Sequence, residues 1–270
     1  MIAIFNKTNK FLFTFAELIL NKKSEMKTTV IILISIILAG CASQQKLTSE
    51  KEIITTTPEQ INTKLEFELT TGKSHNHPSF AIWVEDLEGN YIETLYVTQY
   101  FAKGVFGHGE SEPGKWKNEP GEVRRPAALP YWSHKRNIKA ADGFYAPSPE
   151  TAVPDALTGA TPKGNFTLNT GSKVAGENSF RVVVEINQPW DSNDFWNNNK
   201  FPEDLNYNTS LQPALVYEAV ITPSSPKTEY LLNPIGHSQP SGETGELFTD
   251  ITTITTAKDI FSKIEVIVVR

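Results

Sequence analysis

Beyond residue 40, the apolar side chains of this chain recur at every second position in short runs, and no stretch carries the three-and-four spacing of a long amphipathic helix. That pattern confines the fold. A strand sends alternate side chains to opposite faces, so a period of two marks a segment with one buried face. Leu65, Phe67 and Leu69 alternate with polar residues from position 62 onward. Residues 80–86 and 91–97 flank Leu87-Glu88-Gly89-Asn90, in which glycine can take a positive φ, and together they predict a hairpin. Further strands are predicted at 165–168, 179–187 and 212–221, with 227–232 pairing against the last. Residues 255–261 predict one helical turn, and a β-branched strand over 263–269 closes the chain. About eight short strands between turn signals predict an all-β domain over 61–270, an antiparallel immunoglobulin-like β-sandwich with long loops. The loops are the irregular stretches 101–150 and 188–212, rich in Gly, Pro, Trp, Asn and Asp. Loops of that length in a compact domain tend to be functional.

The first forty residues follow a different logic. From Met26 a positive start leads into an apolar run over 30–38 and then Ala39-Gly40-Cys41. A short apolar core ending in small residues makes a secretory signal over 26–40, too short to span a bilayer as a stable anchor. Leu38-Ala39-Gly40-Cys41 resembles a bacterial lipobox, which implies that Cys41 is diacylated and becomes the first residue of the mature chain. Several acyl chains give stable anchoring. Residues 1–25 are expected to be an extension upstream of the true start at Met26, the alternative being a longer positive region of the signal. The polar stretch 41–60 reads as a flexible tether. Ala42 brings no inner-membrane retention signal, which points to the cell envelope and to the periplasmic face of the outer membrane.

Cys41 is the only cysteine. An internal disulfide, a cysteine-bound iron–sulfur cluster and a zinc ribbon are therefore excluded. The chain has a formal net charge of −6, and its first forty residues hold five lysines against two glutamates, so the remainder is more acidic still. With no basic stripe, such a surface repels phosphate backbones, and nucleic acid is not an expected partner.

Residues 81–86 (Ala-Ile-Trp-Val-Glu-Asp) and 89–95 (Gly-Asn-Tyr-Ile-Glu-Thr-Leu) resemble the opening of the predicted periplasmic family called domain of unknown function 2271. The likeness continues through 155–162, 180–190, 213–217 and the glycines after Gly236, and covers about 62–270. It implies an immunoglobulin-like envelope domain, some members of the family being linked to flavin transferases and extracytoplasmic electron transfer. Asp155-Ala-Leu-Thr158-Gly159-Ala160-Thr161 is similar to the sequence on which flavin transferases attach FMN through a phosphoester. The resemblance makes Thr161 the acceptor hydroxyl, Asp155 and Thr158 recognition elements, and Gly159 and Ala160 the small neighbours that let the phosphate approach. The continuation Pro162-Lys163-Gly164-Asn165 departs from that pattern. The competing reading is a turn in which Asp155 and Thr158 bond to local N–H groups and Gly159 is left-handed.

Other candidates carry less pattern. His75 and His77 form an HxH pair that on an extended segment would point two imidazoles the same way, as a metal site requires, with His108, His134 or a carboxylate to complete it; the competing reading is a solvated pair. Asp191, Asn193, Asp194 and the asparagines 197–199 offer oxygens for Ca²⁺ without an EF-hand order, against a polar loop capped by Trp190 and Trp196. Gly236-His237-Ser238 and Ser241-Gly242-Glu243 do not fit a nucleophile elbow. Glu110, Glu112, Glu119 and Glu122 lack a spacing that selects a glycosidase pair. Trp83 is expected in the core, while Trp116 and Trp132 suit either core or a ring-binding surface. Two functional readings follow. The first is a lipid-anchored, non-catalytic binding or accessory module that meets an envelope protein or a ligand through its long loops. The second is an extracytoplasmic electron carrier with FMN on Thr161, served by a flavin transferase.

Overall fold

The computed structural model describes residues 51–112 and 114–270. Cys41, the signal segment and the extension lie outside the described residues, as does the first half of the tether. In chain order the elements are β1 (Glu52–Thr55), β2 (Thr63–Thr71), β3 (Ser79–Glu85), β4 (Tyr91–Thr98), α1 (Gln99–Lys103), β5 (Val105–Phe106), β6 (Glu110–Glu112), β7 (Lys115–Trp116), β8 (Gly121–Glu122) and α2 (Pro130–Arg136). There follow β9 (Thr158–Gly159), β10 (Phe166–Ser172), β11 (Phe180–Asn187), α3 (Leu205–Asn208), β12 (Leu215–Ile221), β13 (Glu229–Leu231), β14 (Asn233–Ser238), β15 (Leu247–Phe248) and β16 (Phe261–Val269).

Two sheets carry the domain. The first has the order β1-β10-β2-β16-β13 and the second β15-β14-β12-β11-β3-β4-β9. Every second residue of β2, from Thr63 to Leu69, is buried, which is the alternation read from the sequence. Leu65, Phe67, Leu69, Phe166, Ile264 and Val266 from the first sheet meet Phe80, Ile82, Val84, Val182, Val184 and Leu215 from the second in one apolar cluster. The fold is an all-β sandwich, as expected. Its pairings are not purely antiparallel, because β1 runs parallel to β10 and β9 parallel to β4 at the sheet edges.

The hairpin forms as predicted: β3 and β4 pair antiparallel, and Gly89 has φ 87. The Asp86 carboxylate closes the turn by accepting from the Asn90 N–H at 2.7 Å. Three readings need correction. Residues 52–55, read as tether, form β1, which gives the edge of β10 a partner. The strand at 227–232 does not pair with 212–221; β13 pairs with β16 in the first sheet, while β12 lies between β11 and β14 in the second. The segment 101–150 is not an open loop.

That segment covers the outer face of the second sheet. Ala81, Trp83, Val97, Val183 and Val216 point away from the sandwich core, and Phe101, Ala128, Leu129, Tyr131 and Trp132 pack onto them as a second apolar cluster. Burial on both faces explains why β3 is buried at every position instead of at alternate ones. Trp132 is fully buried and its indole N–H donates to Thr94 Oγ1 at 3.0 Å.

A buried carboxylate pins this cover to the sheet. Glu185 of β11 accepts from the backbone N–H groups of Tyr131 at 3.1 Å and Trp132 at 2.8 Å. These are among the N–H groups that the first turn of α2 cannot satisfy internally, since Pro130 occupies its start. Four residues along the β3–β11 pair, fully buried Glu85 accepts from Trp83 Nε1 and Arg181 Nη1, both at 2.9 Å, and lies 3.4 Å from Lys135 Nζ at the other end of the helix. Desolvation pushes the Glu185 carboxyl up to about 8, against the pull of the two N–H donors. Between its ordinary value of 4.5 and about 8 the folded chain therefore holds a proton that the unfolded chain has released. The contribution to stability is complete below that window and is lost as pH rises through it. Urea denaturation from pH 5 to pH 9 is expected to show this decline, and Glu185→Gln is expected to flatten it. Glu185→Ala is expected to cost about 3 kcal/mol, the upper end for stranding buried donors.

Candidate functional site

At one end of the second sheet, the start of the cover and the loop before α3 leave a cavity of about 610 Å³. Its walls are aromatic. Tyr100 of α1 and Phe106 of β5 stack at 6.2 Å and 29°, and Trp116 of β7 meets Trp190 edge to face at 6.3 Å and 88°. Trp190 reaches this position through a left-handed backbone with φ 54, its N–H donating to Thr209 O at 3.2 Å. These rings are only partly covered: Trp190 is 63% exposed, Tyr100 57% and Trp116 43%. Large rings left open to water around one cavity mark a place that other apolar surface can cover.

Arg125 forms part of the lining and is only 7% exposed. Its Nη2 donates to Thr209 O at 2.9 Å and its guanidinium lies over the Phe106 ring at 5.5 Å. Among the described residues, no carboxylate forms an ion pair with it. Burial pushes its pKa down to about 10, so it is a cation at neutral pH. His77, His108 and Lys163 also line the cavity, and among the described residues no Asp or Glu does.

Thr161 and Ala160 stand on the same rim. The segment leading to them is built as an edge. Residues 155–157 make a 3-10 turn, and β9 then lies parallel to β4, with Val97 opposite Thr158 and Thr98 opposite Gly159. The Asp155 carboxylate reaches Lys103 Nζ at 2.8 Å, and the Thr158 hydroxyl donates to Asp155 O at 3.3 Å. The turn is present, but its details differ from the reading: the Asp155 carboxylate pairs with a lysine, the Thr158 hydroxyl bonds to a carbonyl, and Gly159 is not left-handed. Gly159 is needed for approach: a Cβ there would sit 2.9 Å from Tyr96 Oη, which donates to Ala160 O at 3.0 Å.

The remaining candidates divide. The premise of an extended HxH pair does not hold, because His77 has φ 53, in the left-handed region. His75 packs edge-on to Phe261 at 5.3 Å with its buried Nε2 unpartnered, and burial lowers its pKa; His77 faces the cavity. Among the described residues no three His, Cys, Asp or Glu side chains converge. In the polar loop at 191–199, Asn193 Oδ1 accepts from the N–H groups of Phe195 and Trp196, and Asp191 Oδ1 accepts from Thr256 while its buried Oδ2 has no partner among the described residues. His237 is buried with Nδ1 2.8 Å from Ser238 O, and the Ser238 hydroxyl donates to Ala214 O, so the two side chains are not joined as base and nucleophile. Glu110 accepts from the Gly114 N–H at 2.7 Å, and Glu112 pairs with Lys115. Trp83 and Trp132 are core, while Trp116 and Trp190 are walls.

Sequence reasoning passed over Arg125 and Glu185. A carboxylate inside Val182-Val183-Val184-Glu185-Ile186 is a visible signal of a buried polar role, whereas nothing in Arg124-Arg125-Pro126 tells the buried arginine from its neighbour. Compared with protein-family models, with curated proteins and with solved structures, the chain matches none. Gly159→Val is expected to push β9 from Tyr96 and to cost about 1–3 kcal/mol in chemical denaturation, the usual range for overpacking a filled site.

Proposed function

We propose that this is a lipid-anchored binding module of the cell envelope, non-catalytic in itself, whose ligand site is the aromatic cavity between Tyr100, Phe106, Trp116 and Trp190. The observation that carries the reading is that four rings from three separated stretches of chain converge on one cavity while three of them stay largely open to water. Such rings offer flat, rigid contact area at little cost in side-chain entropy. The anchor rests on Leu38-Ala39-Gly40-Cys41 and on the resemblance to the periplasmic family described above. The partners this implies are the membrane, through the lipid on Cys41, and an envelope protein or ligand at the cavity.

A second reading is favoured by one specific observation. Thr161, the residue that the flavin-transferase resemblance makes the acceptor, lines this same cavity. A flavin joined to its hydroxyl through a phosphoester would have the four rings within reach for stacking, and the protein would act as an extracytoplasmic electron carrier. The chain's own part would be to hold and orient the ring and to keep water from it.

Labelled palmitate is expected to enter the wild-type chain and to be absent from Cys41→Ala, which should leave the membrane fraction; a soluble, unlabelled wild type would refute the anchor. Mass spectrometry after co-expression with a flavin transferase separates the two readings. Thr161 peptide heavier by FMN less water supports the carrier, and a colourless protein with unmodified Thr161 leaves the binding module.

A further inference from the structure

We propose that the cavity selects an anionic ligand, a flat aromatic ring bearing a phosphate or carboxylate, and that Arg125 is the residue that grips the charge. The proposal deepens the binding-module reading and rests on it.

The argument starts from charge. In a chain of net −6, most surface cavities of this size would be expected to include a carboxylate. Among the described residues this one has none, and its four basic groups are Arg125, Lys163, His77 and His108. The neighbouring cavity of about 850 Å³ makes the contrast. It shares Trp116, Trp190 and Thr209 with the first, yet it is lined by Glu110, Glu203, Asp204 and Glu243. Its own arginine, Arg124, is engaged by Asp142 and by the carbonyls of Ala146 and Pro147. Two adjacent arginines therefore have opposite fates, one neutralised and one left over.

Arg125 is the unusual one. A guanidinium held away from water is normally paired with a carboxylate, because an unpaired buried charge is costly. Here a single backbone carbonyl and the face of Phe106 are its partners. The residue lines the cavity, and a guanidinium is a planar fork that suits two oxygens of one phosphate or carboxylate. The rings alongside supply stacking surface for the rest of the ligand. An anion at Arg125 would complete a pair that the fold leaves half made.

The probes are FMN and riboflavin, which share one ring system and differ by a phosphate. The full chain, made in cells lacking a flavin transferase so that Thr161 is bare, is titrated in detergent while flavin fluorescence is followed. FMN is expected to bind at least roughly tenfold more tightly than riboflavin, the ratio a charge-assisted hydrogen bond supplies. Arg125→Met is expected to bring the two within about twofold. Should that variant fail to fold, the wild type still decides: inorganic phosphate is expected to weaken FMN binding and leave riboflavin unchanged. Equal affinities in the wild type would overturn the charge selection and spare the cavity as a ring site. A preference for FMN that survives Arg125→Met, or that phosphate does not compete away, would overturn the role of Arg125. Binding of neither flavin would overturn both the selection and the ring-site reading.

Discussion

The buried contact between Glu185 and the first turn of α2 is the joint on which the molecule's distinctive half depends. A two-sheet sandwich needs only one buried face per sheet. This one buries the second sheet twice, and the outer burial is made by a segment with little regular structure of its own. Such a segment cannot be held by a ladder of backbone bonds. It is held by apolar rings, Trp132 among them, and by the carboxyl group of Glu185, which rises from β11 to meet two otherwise orphaned N–H groups. The Glu85–Arg181–Lys135 group then fixes the far end of the same helix. With both ends tied, the chain on either side of α2 is positioned, and with it Arg125 just upstream and the aromatic walls before it.

This arrangement also accounts for where the cavity lies. The cover must leave and rejoin the sheet at its edges. At one such edge β9 closes the sheet beside β4, because Gly159 lets the backbone pass against Tyr96. The residues immediately after β9 then stand opposite the opening of the cover. A cavity at that seam is lined by chain drawn from 77–79, 99–125, 160–163 and 189–209. Binding sites formed where separate segments meet combine chemistries that no single strand can present, and here they combine rings, imidazoles and a guanidinium.

Much of the sandwich was legible because burial on one face writes itself into the sequence as alternation. Leu65, Phe67 and Leu69 are the clear instance, and the 80–97 hairpin was marked by its turn residues as well. The reading failed where burial was two-sided or where pairing was remote. The rings and prolines of 101–150 looked like loop because no period survives when a segment is shaped to an existing surface. The partner of β13 could not be read because an edge strand of three residues pairs equally well with any exposed neighbour, and its place beside β16 is decided by the whole sandwich. Of the residues that line the cavity, Thr161 is singled out by its neighbours in sequence. Arg125 is not, since its role depends on having no acid nearby, and nearness is a property of the fold.

The acidic surface and the cationic cavity are compatible for a reason of length. At physiological ionic strength, charges separated by more than about 8 Å of solvent are largely screened from each other. The net negative charge thus sets how the domain behaves at a distance, discouraging nonspecific contact with anionic headgroups on the membrane to which Cys41 would tether it. Within the cavity the field is set by the few groups that line it, under a lower effective dielectric and with no carboxylate to oppose Arg125. An anion must therefore come close before it is attracted, and must present a shape that the rings accept. That combination favours selectivity over capture rate, which suits the tethered binding module proposed above.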